Sequence, residues 1–389
     1  MPPIYLDNHA TTRVDPQVLA EMLPYFDVKF GNAASINHSY GWDAAEAVAA
    51  SRREIAQLVN AAPSEILFTS GGTESNNLAL KGVMRSAPRG SHLIVSAAEH
   101  RSVLDPAKRL QRQGCQLTIL DIDSSGRVDP RFLESALRPD TVLVSVMLAN
   151  NEVGSINPIH EIAQICRAHG ALLHCDAVQA AGRIPVDLKL LSADLVSLSA
   201  HKLYGPKGTG ALYVRRDGPP IRLEPLFDGG GHERHMRSGT LAVPLIVGFR
   251  AACRLAWQCL AEEAIRLANL RERLWNGLAE RLEGLTLNGH PALRLPGNLN
   301  VSFDGVDGEA LMTSLTEIAV SSGSACTSAD PEQSHVLRAM GVSESRSKAS
   351  LRFGLGRFTT TEEIDFAIQY VVEKVSLLRA STSPGTEKD

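Results

Sequence analysis

The chain has 389 residues, a formal net charge of −4, 44% hydrophobic side chains and 21% charged ones. That balance is ordinary for a soluble globular protein and gives no electrostatic case for binding nucleic acid or a membrane surface. The length exceeds the usual single core, so a large domain with a smaller companion is expected.

Met1-Pro2-Pro3-Ile4-Tyr5-Leu6-Asp7 has neither a basic nor an apolar leader region, and no apolar run approaches the roughly 20 residues of a spanning helix. The expected location is the cytoplasm. Further along, Glu65–Ser70 reads as a strand, Gly71-Gly72 as a turn and Thr73–Leu80 as a helix opening on a capping residue. A helix N-terminus after a glycine turn binds anions, and Thr73 is the candidate phosphate donor. Strand-type runs at 93–96, 116–120, 142–148, 171–175, 194–198 and 210–214 alternate with helical stretches at 102–113, 131–138 and 159–169. That alternation predicts an α/β fold with a largely parallel sheet.

Two of these runs carry chemistry. The run Ala171–Cys175 delivers Asp176 to a strand end, and Asp194–Leu198 delivers Ser199, His201 and Lys202 beside it. A lysine amine, an acidic partner for a pyridinium nitrogen and neutral donors for a phosphate are what pyridoxal phosphate requires. Tyr204–Gly210 then turns the chain away.

A long helix from about 242 to 282 is expected to bridge two domains, with Leu267, Leu270, Leu274 and Leu278 on its packing face. Beyond it, 297–303 and 318–321 read as strands of a small α+β domain, onto which the first fifteen residues are expected to pack. The division is 16–257 for the large cofactor-binding domain and 1–15 plus 258–379 for the small one, with 380–389 a disordered tail.

The six cysteines, at 115, 166, 175, 253, 259 and 326, show no Cys-x-x-Cys pair or disulfide-framework spacing. Most suit buried apolar positions. Cys326, in the small-residue stretch Val320–Pro331, is expected on a mobile loop, exposed to reagents. His232-Glu233-Arg234-His235 on a glycine-rich stretch lacks the further ligands of a metal site. No permanent metal is expected.

These residues together resemble the class I cysteine desulfurases, the NifS/IscS type of fold-type I pyridoxal-phosphate enzyme. The segments that carry the resemblance are Tyr5–Thr12, Phe68–Asn77, Ala98-Glu99-His100, Ala149–Gly154, His174–Gln179, Ser199–Lys202, Gly229–Thr240 and, most specific, Ser321–Ser328. The resemblance runs from about residue 4 to about residue 375. It implies that Lys202 holds the cofactor, Asp176 pairs with the pyridinium, Gln179 meets the ring oxygen and His100 stacks on the ring. Thr73, Ser199 and His201, with Gly72 and Ala200 beside them, would hold the phosphate, and Thr240 would come from the other subunit of a homodimer. Asn151 would touch cofactor or substrate, and Arg352, assisted by Asn32, would clamp the substrate carboxylate.

The implied reaction turns L-cysteine into L-alanine. The Lys202 amine and His100 manage protons, and Cys326 takes the sulfur as a persulfide, with a transient role as an iron–sulfur ligand also open to it. The implied partner is an iron–sulfur scaffold or another sulfur acceptor, possible uses including tRNA thiolation. Rival readings are selenocysteine lyase, another class V aminotransferase and a catalytically silent assembly scaffold.

Overall fold

The computed structural model describes residues 3–322 and 333–382. In chain order the strands are β1 (Ile4–Tyr5), β2 (Ile66–Thr69), β3 (His92–Ser96), β4 (Gln116–Leu120), β5 (Thr141–Ser145), β6 (Leu172–Asp176), β7 (Leu195–Ser199), β8 (Gly210–Val214), β9 (Leu285–Asn288), β10 (Asn298–Phe303), β11 (Ile318–Ala319), β12 (Ser321–Ser322) and β13 (Ser350–Gly354).

A seven-stranded sheet has the order β2-β8-β7-β6-β5-β3-β4. β8 runs antiparallel to both its neighbours, and every other pairing is parallel. Side chains alternate across a strand, so each strand feeds two apolar layers. Ile66, Phe68, Ile94, Val144, Val196 and Leu198 enter one layer with the helices Ser39–Leu58, Ile159–His169 and the first half of Val243–Ala279. Leu67, Leu93, Val95, Leu143 and Leu195 enter the other, with Gly72–Ser86 and Arg101–Arg112. Truncating one of these leucines to alanine would cost about 2–5 kcal/mol, because a packed layer collapses only partly around a hole.

A second sheet, antiparallel in the order β12-β13-β10-β9, has its own core. Leu299, Val301, Leu351 and Phe353 pack there on the helix Thr361–Thr382 and on Leu267, Leu270, Leu274 and Leu278. The helix Val243–Ala279 thus serves both bodies, its 37 residues spanning about 55 Å. It is apolar and long enough by composition to cross a membrane. Its apolar face is spent on the core, with Ile246, Val247, Phe249 and Leu274 buried.

Three expectations need adjustment. The run 142–148 stops as a strand at Ser145, because the Met147 N–H turns to the buried Glu99 carboxyl at 2.6 Å while Val146 and Leu148 still donate to β6 carbonyls. The run 318–321 is split between two sheets, β11 pairing with β1 and β12 with β13. The last helix continues to Thr382, three residues into the expected tail, and 383–389 lie outside the described residues.

The N-terminus does more than pack on the second body. Ile4 and Tyr5 pair with β11 and Leu6 enters the second core. Thr12 then crosses to the large sheet, where its N–H and its hydroxyl both donate to the His201 carbonyl at 3.0 Å and the Tyr204 N–H donates to its oxygen at 2.8 Å. Those bonds place residues 8–12 over the end of β7.

Candidate active site

A cavity of about 540 Å³ opens where β2, β6 and β7 end, the carboxyl edge at which open α/β sheets bind ligands. Its wall brings together Gly72, Thr73, His100, Asn151, Asp176, Gln179, Ser199, His201, Lys202 and Arg352. Ala200 is fully buried behind the wall, packed at the turn where Gly205 leaves no room for a side chain. Asn32 and Thr240 are exposed and away from the lining. Within its own chain the Asn32 side chain accepts the Ala34 N–H in a local turn at 2.9 Å. Cys326 lies outside the described residues.

At one end the cavity is built for an anion. The helix begins at Gly72, one residue earlier than expected, with Gly71 as its N-cap at φ +147°, a conformation suited to glycine. No side chain caps it among the described residues, so Thr73 stands in the first turn rather than at the cap. The first-turn N–H groups are left for a ligand. The Ser199 hydroxyl is enclosed there with no hydrogen-bond partner among the described residues. Burial, helped by Lys202, pulls His201 down to about 4, so its ring is neutral at neutral pH. His201 Nδ1 lies 3.0 Å from the Thr11 hydroxyl.

Asp176 sits deeper, 5% exposed. Its Oδ1 accepts the Val178 N–H at 2.9 Å and its Oδ2 accepts from Asn76 Nδ2 at 2.7 Å. The same Asn76 nitrogen donates to the Ser102 hydroxyl at 2.8 Å, which lies 2.7 Å from His100 Nδ1. The Ser102 backbone N–H also reaches Nδ1, at 3.1 Å. A backbone N–H can only donate, so Nδ1 is an acceptor and the neutral ring carries its proton on Nε2. One chain of hydrogen bonds therefore joins Asp176 to His100. Below it, burial and the nearby Asp176 push the Glu99 carboxyl well above its usual range. Burial and Asp176 thus act together against a second buried charge at Glu99.

Lys202 Nζ donates to the carbonyls of His9 and Ala10, each at 2.6 Å. Gln179 Nε2 donates to the same His9 carbonyl at 2.9 Å. Burial, with Arg183 and Arg352 nearby, drives the His9 ring well below the usual imidazole range, so it is neutral.

Arg352 projects from β13 at the far end, 2% exposed, paired with Asp7 at 2.7 Å and bonded to the Asn151 carbonyl at 3.0 Å. Beside it Glu152 is pushed up to about 7 by burial, against the pull of Ser334 and Arg352. Ser334 Oγ donates to Glu152 Oε2 at 2.5 Å, and His335 Nε2 lies 2.9 Å from the Glu99 carbonyl.

His9, Asn76, Glu152 and His335 line the cavity without having been singled out from the sequence. Asn76 was within reach, three residues after Thr73 on one helix and hence on the same face. The other three arrive through tertiary contacts between distant segments.

Elsewhere, burial raises the thiols of Cys115, Cys166, Cys175 and Cys253, that of Cys166 to about 12. Such thiols are inert as nucleophiles. Glu233, in the His-x-x-His stretch, is held by Arg52 at 2.6 and 2.9 Å and by the Phe68 N–H at 2.8 Å. Among the described residues no three His, Cys, Asp or Glu side chains gather as a metal site.

The family model for class-V aminotransferases matches residues 4–366. The chain belongs to that family. A cysteine desulfurase IscS from Anaeromyxobacter sp. (strain Fw109-5) is 58% identical over 378 residues, 97% of this chain and 93% of that protein. A solved NifS-like protein superposes with a TM-score of 0.90 at 38% identity, covering 97% of this chain and all of the other. A second solved structure, SspA in complex with cysteine, gives a TM-score of 0.82 at 35% identity over 92% of this chain. Within the class-V family the chain is of the NifS/IscS cysteine desulfurase type, whose cofactor is pyridoxal phosphate. The cavity fits that cofactor: the Ser199 hydroxyl and the helix start, without partner or side-chain cap among the described residues, suit its phosphate, buried Asp176 its ring nitrogen and Lys202 its aldehyde.

Proposed function

We propose that the chain converts L-cysteine and the Cys326 thiol into L-alanine and a Cys326 persulfide. The C–S bond of the substrate breaks, an S–S bond forms, and the electron pair left on carbon takes a proton. The observation that carries this reading is the single cavity shared by Lys202, Asp176, His100 and Arg352. When bound, pyridoxal phosphate supplies an electron sink that acidifies the substrate Cα–H. Arg352 holds the α-carboxylate, the Lys202 amine takes the Cα proton, and His100 Nε2–H serves the substrate sulfur. Asp176 keeps the ring nitrogen protonated through its charge, and Asn76 orients Asp176. The role of Cys326 rests on its motif, Ser321–Ser328.

The sulfur acceptor in this reading is an iron–sulfur scaffold or a related carrier. The enzyme is a cytoplasmic homodimer that binds neither nucleic acid nor membrane. Exposed Leu19, Leu23, Phe26, Val28, Phe30 and Trp42 support a dimer by offering an apolar surface to cover, and exposed Thr240 is free to serve the phosphate of the partner's site. Two cores sharing the helix Val243–Ala279 support a division near 16–257 and 1–15 plus 258–379, although Leu295, Val336, Leu337 and Met340 pack on the first core.

The test measures alanine and protein persulfide formed from L-cysteine by the cofactor-loaded enzyme and by its Cys326→Ser variant. Alanine with persulfide in the wild type, and no persulfide in the variant, is expected. A yellow, folded wild type that makes no alanine would refute the reading.

A further inference from the structure

Asp7 belongs to no strand, yet its backbone is fixed. It forms a parallel bridge to Gly354, the Asn8 N–H donates to the Gly354 carbonyl at 2.9 Å, and the Tyr5 hydroxyl donates to the Asp7 carbonyl at 3.1 Å. Gly354 is two residues beyond Arg352 on β13, so the two positions share a face of the strand. That placement sets the Asp7 carboxylate 2.7 Å from Arg352 Nη2, with the two side chains 16% and 2% exposed.

A guanidinium has five N–H groups. Asp7 takes one on Nη2, the Asn151 carbonyl takes one on Nη1, and Nε is enclosed with no acceptor among the described residues. Among the described residues one N–H on each terminal nitrogen is left without an acceptor, two donors that suit the oxygens of a carboxylate. A buried guanidinium without a counter-ion is strongly disfavoured, so Asp7 neutralises the clamp before any substrate arrives. An incoming α-carboxylate must then share a cation that already has a partner.

We propose that Asp7 is the resident counter-ion of the substrate-carboxylate clamp: it orients Arg352 from behind and, by sharing its charge, weakens the grip on the α-carboxylate so that the amino-acid product can leave. This rests on the desulfurase reading, in which that product is L-alanine. Asp7 is a positioning residue in this scheme and touches Arg352 rather than the reacting atoms.

Asp7→Asn keeps the size and one acceptor oxygen but removes the charge. The holoenzyme variant is expected to bind L-alanine about fivefold or more tightly, read from the concentration dependence of the alanine-induced rise in Tm. KM for L-cysteine should fall, and kcat with it, as product release slows. Asp7→Glu, which restores the charge, should return alanine affinity toward the wild type. A residue that only held the fold would act oppositely, loosening the clamp and raising KM. Unchanged or weaker alanine binding by folded Asp7→Asn overturns the proposal. If that variant does not accumulate folded, the double variant Asp7→Asn/Arg352→Gln decides. Loss of both charges together should yield folded holoenzyme with no alanine response, and failure to fold there too makes Asp7 purely structural. A wild type that makes no alanine from cysteine sinks the activity reading instead, and the comparison of alanine affinities remains readable.

Discussion

At the Asp176 end of the cavity a buried carboxylate is ringed by neutral donors from Asn76 and Val178, whereas at the other end a buried guanidinium, Arg352, already faces the carboxylate of Asp7. The first arrangement leaves a charge to be met by a cation that stays, the protonated ring of a cofactor. In the second the cation already faces a carboxylate of the protein, which suits a ligand that comes and goes. Burial is similar at both ends, so the difference lies in whether the counter-charge belongs to the protein.

Substitutions at the two ends should therefore fail differently. The largest effect is expected between them: Lys202→Ala should lower turnover by at least about 10³-fold and abolish the visible cofactor band, with the far-UV spectrum unchanged. Asp176→Asn keeps the acceptor for Val178 but drops the charge, and kcat should fall about 10²–10³-fold with weakened cofactor retention, measured by dialysis and absorbance. Arg352→Gln should raise KM for L-cysteine about 10²-fold while cofactor retention stays at wild-type level. If Arg352→Gln also released the cofactor, the two ends would not be separable.

Glu152 sharpens the contrast through pH. Its folded-state value is raised from 4.5 to about 7, mainly by burial. The stability it contributes is thus complete below about 4.5 and is lost as pH rises through about 7, up to about 3 kcal/mol in all. Urea midpoints at pH 5 and pH 8 should show that loss in the wild type and little of it in Glu152→Gln. The smallest effect is expected for Ser102→Ala, which cuts the link from Asn76 to His100 but leaves the Ser102 N–H on Nδ1. A fall in kcat of about tenfold or less is expected, measured across pH.

Much of the ring end was legible in the sequence because it is local. Asp176 and Ser199 each close an apolar run, with Lys202 just beyond the second, and a strand run followed by a turn places its last residue at the sheet edge whatever surrounds it. The carboxylate end was legible only through the family motif around Arg352, since Asp7, Glu152 and Arg352 lie on three distant segments. Glycine and threonine at 71–73 mark the anion turn, yet the helix starts at Gly72, one residue before the position their pattern predicts. The pattern offers Thr73 as a capping hydroxyl, whereas Gly71 is the N-cap and no side chain among the described residues caps the first turn.

By itself the sequence determined the alternation of strands and helices, the two apolar faces of each large-sheet strand and the edge at which the cofactor residues emerge, because these follow from side-chain period and turn chemistry along the chain. Only the tertiary structure decided that Asn76 and Ser102 tie Asp176 to His100, that His9 and Ala10 receive the Lys202 amine, and that Asp7 meets Arg352. All of those contacts but the local Ser102–His100 step join residues tens to hundreds of positions apart, and the partner of a buried charge is set by what the folded chain brings within about 3 Å of it.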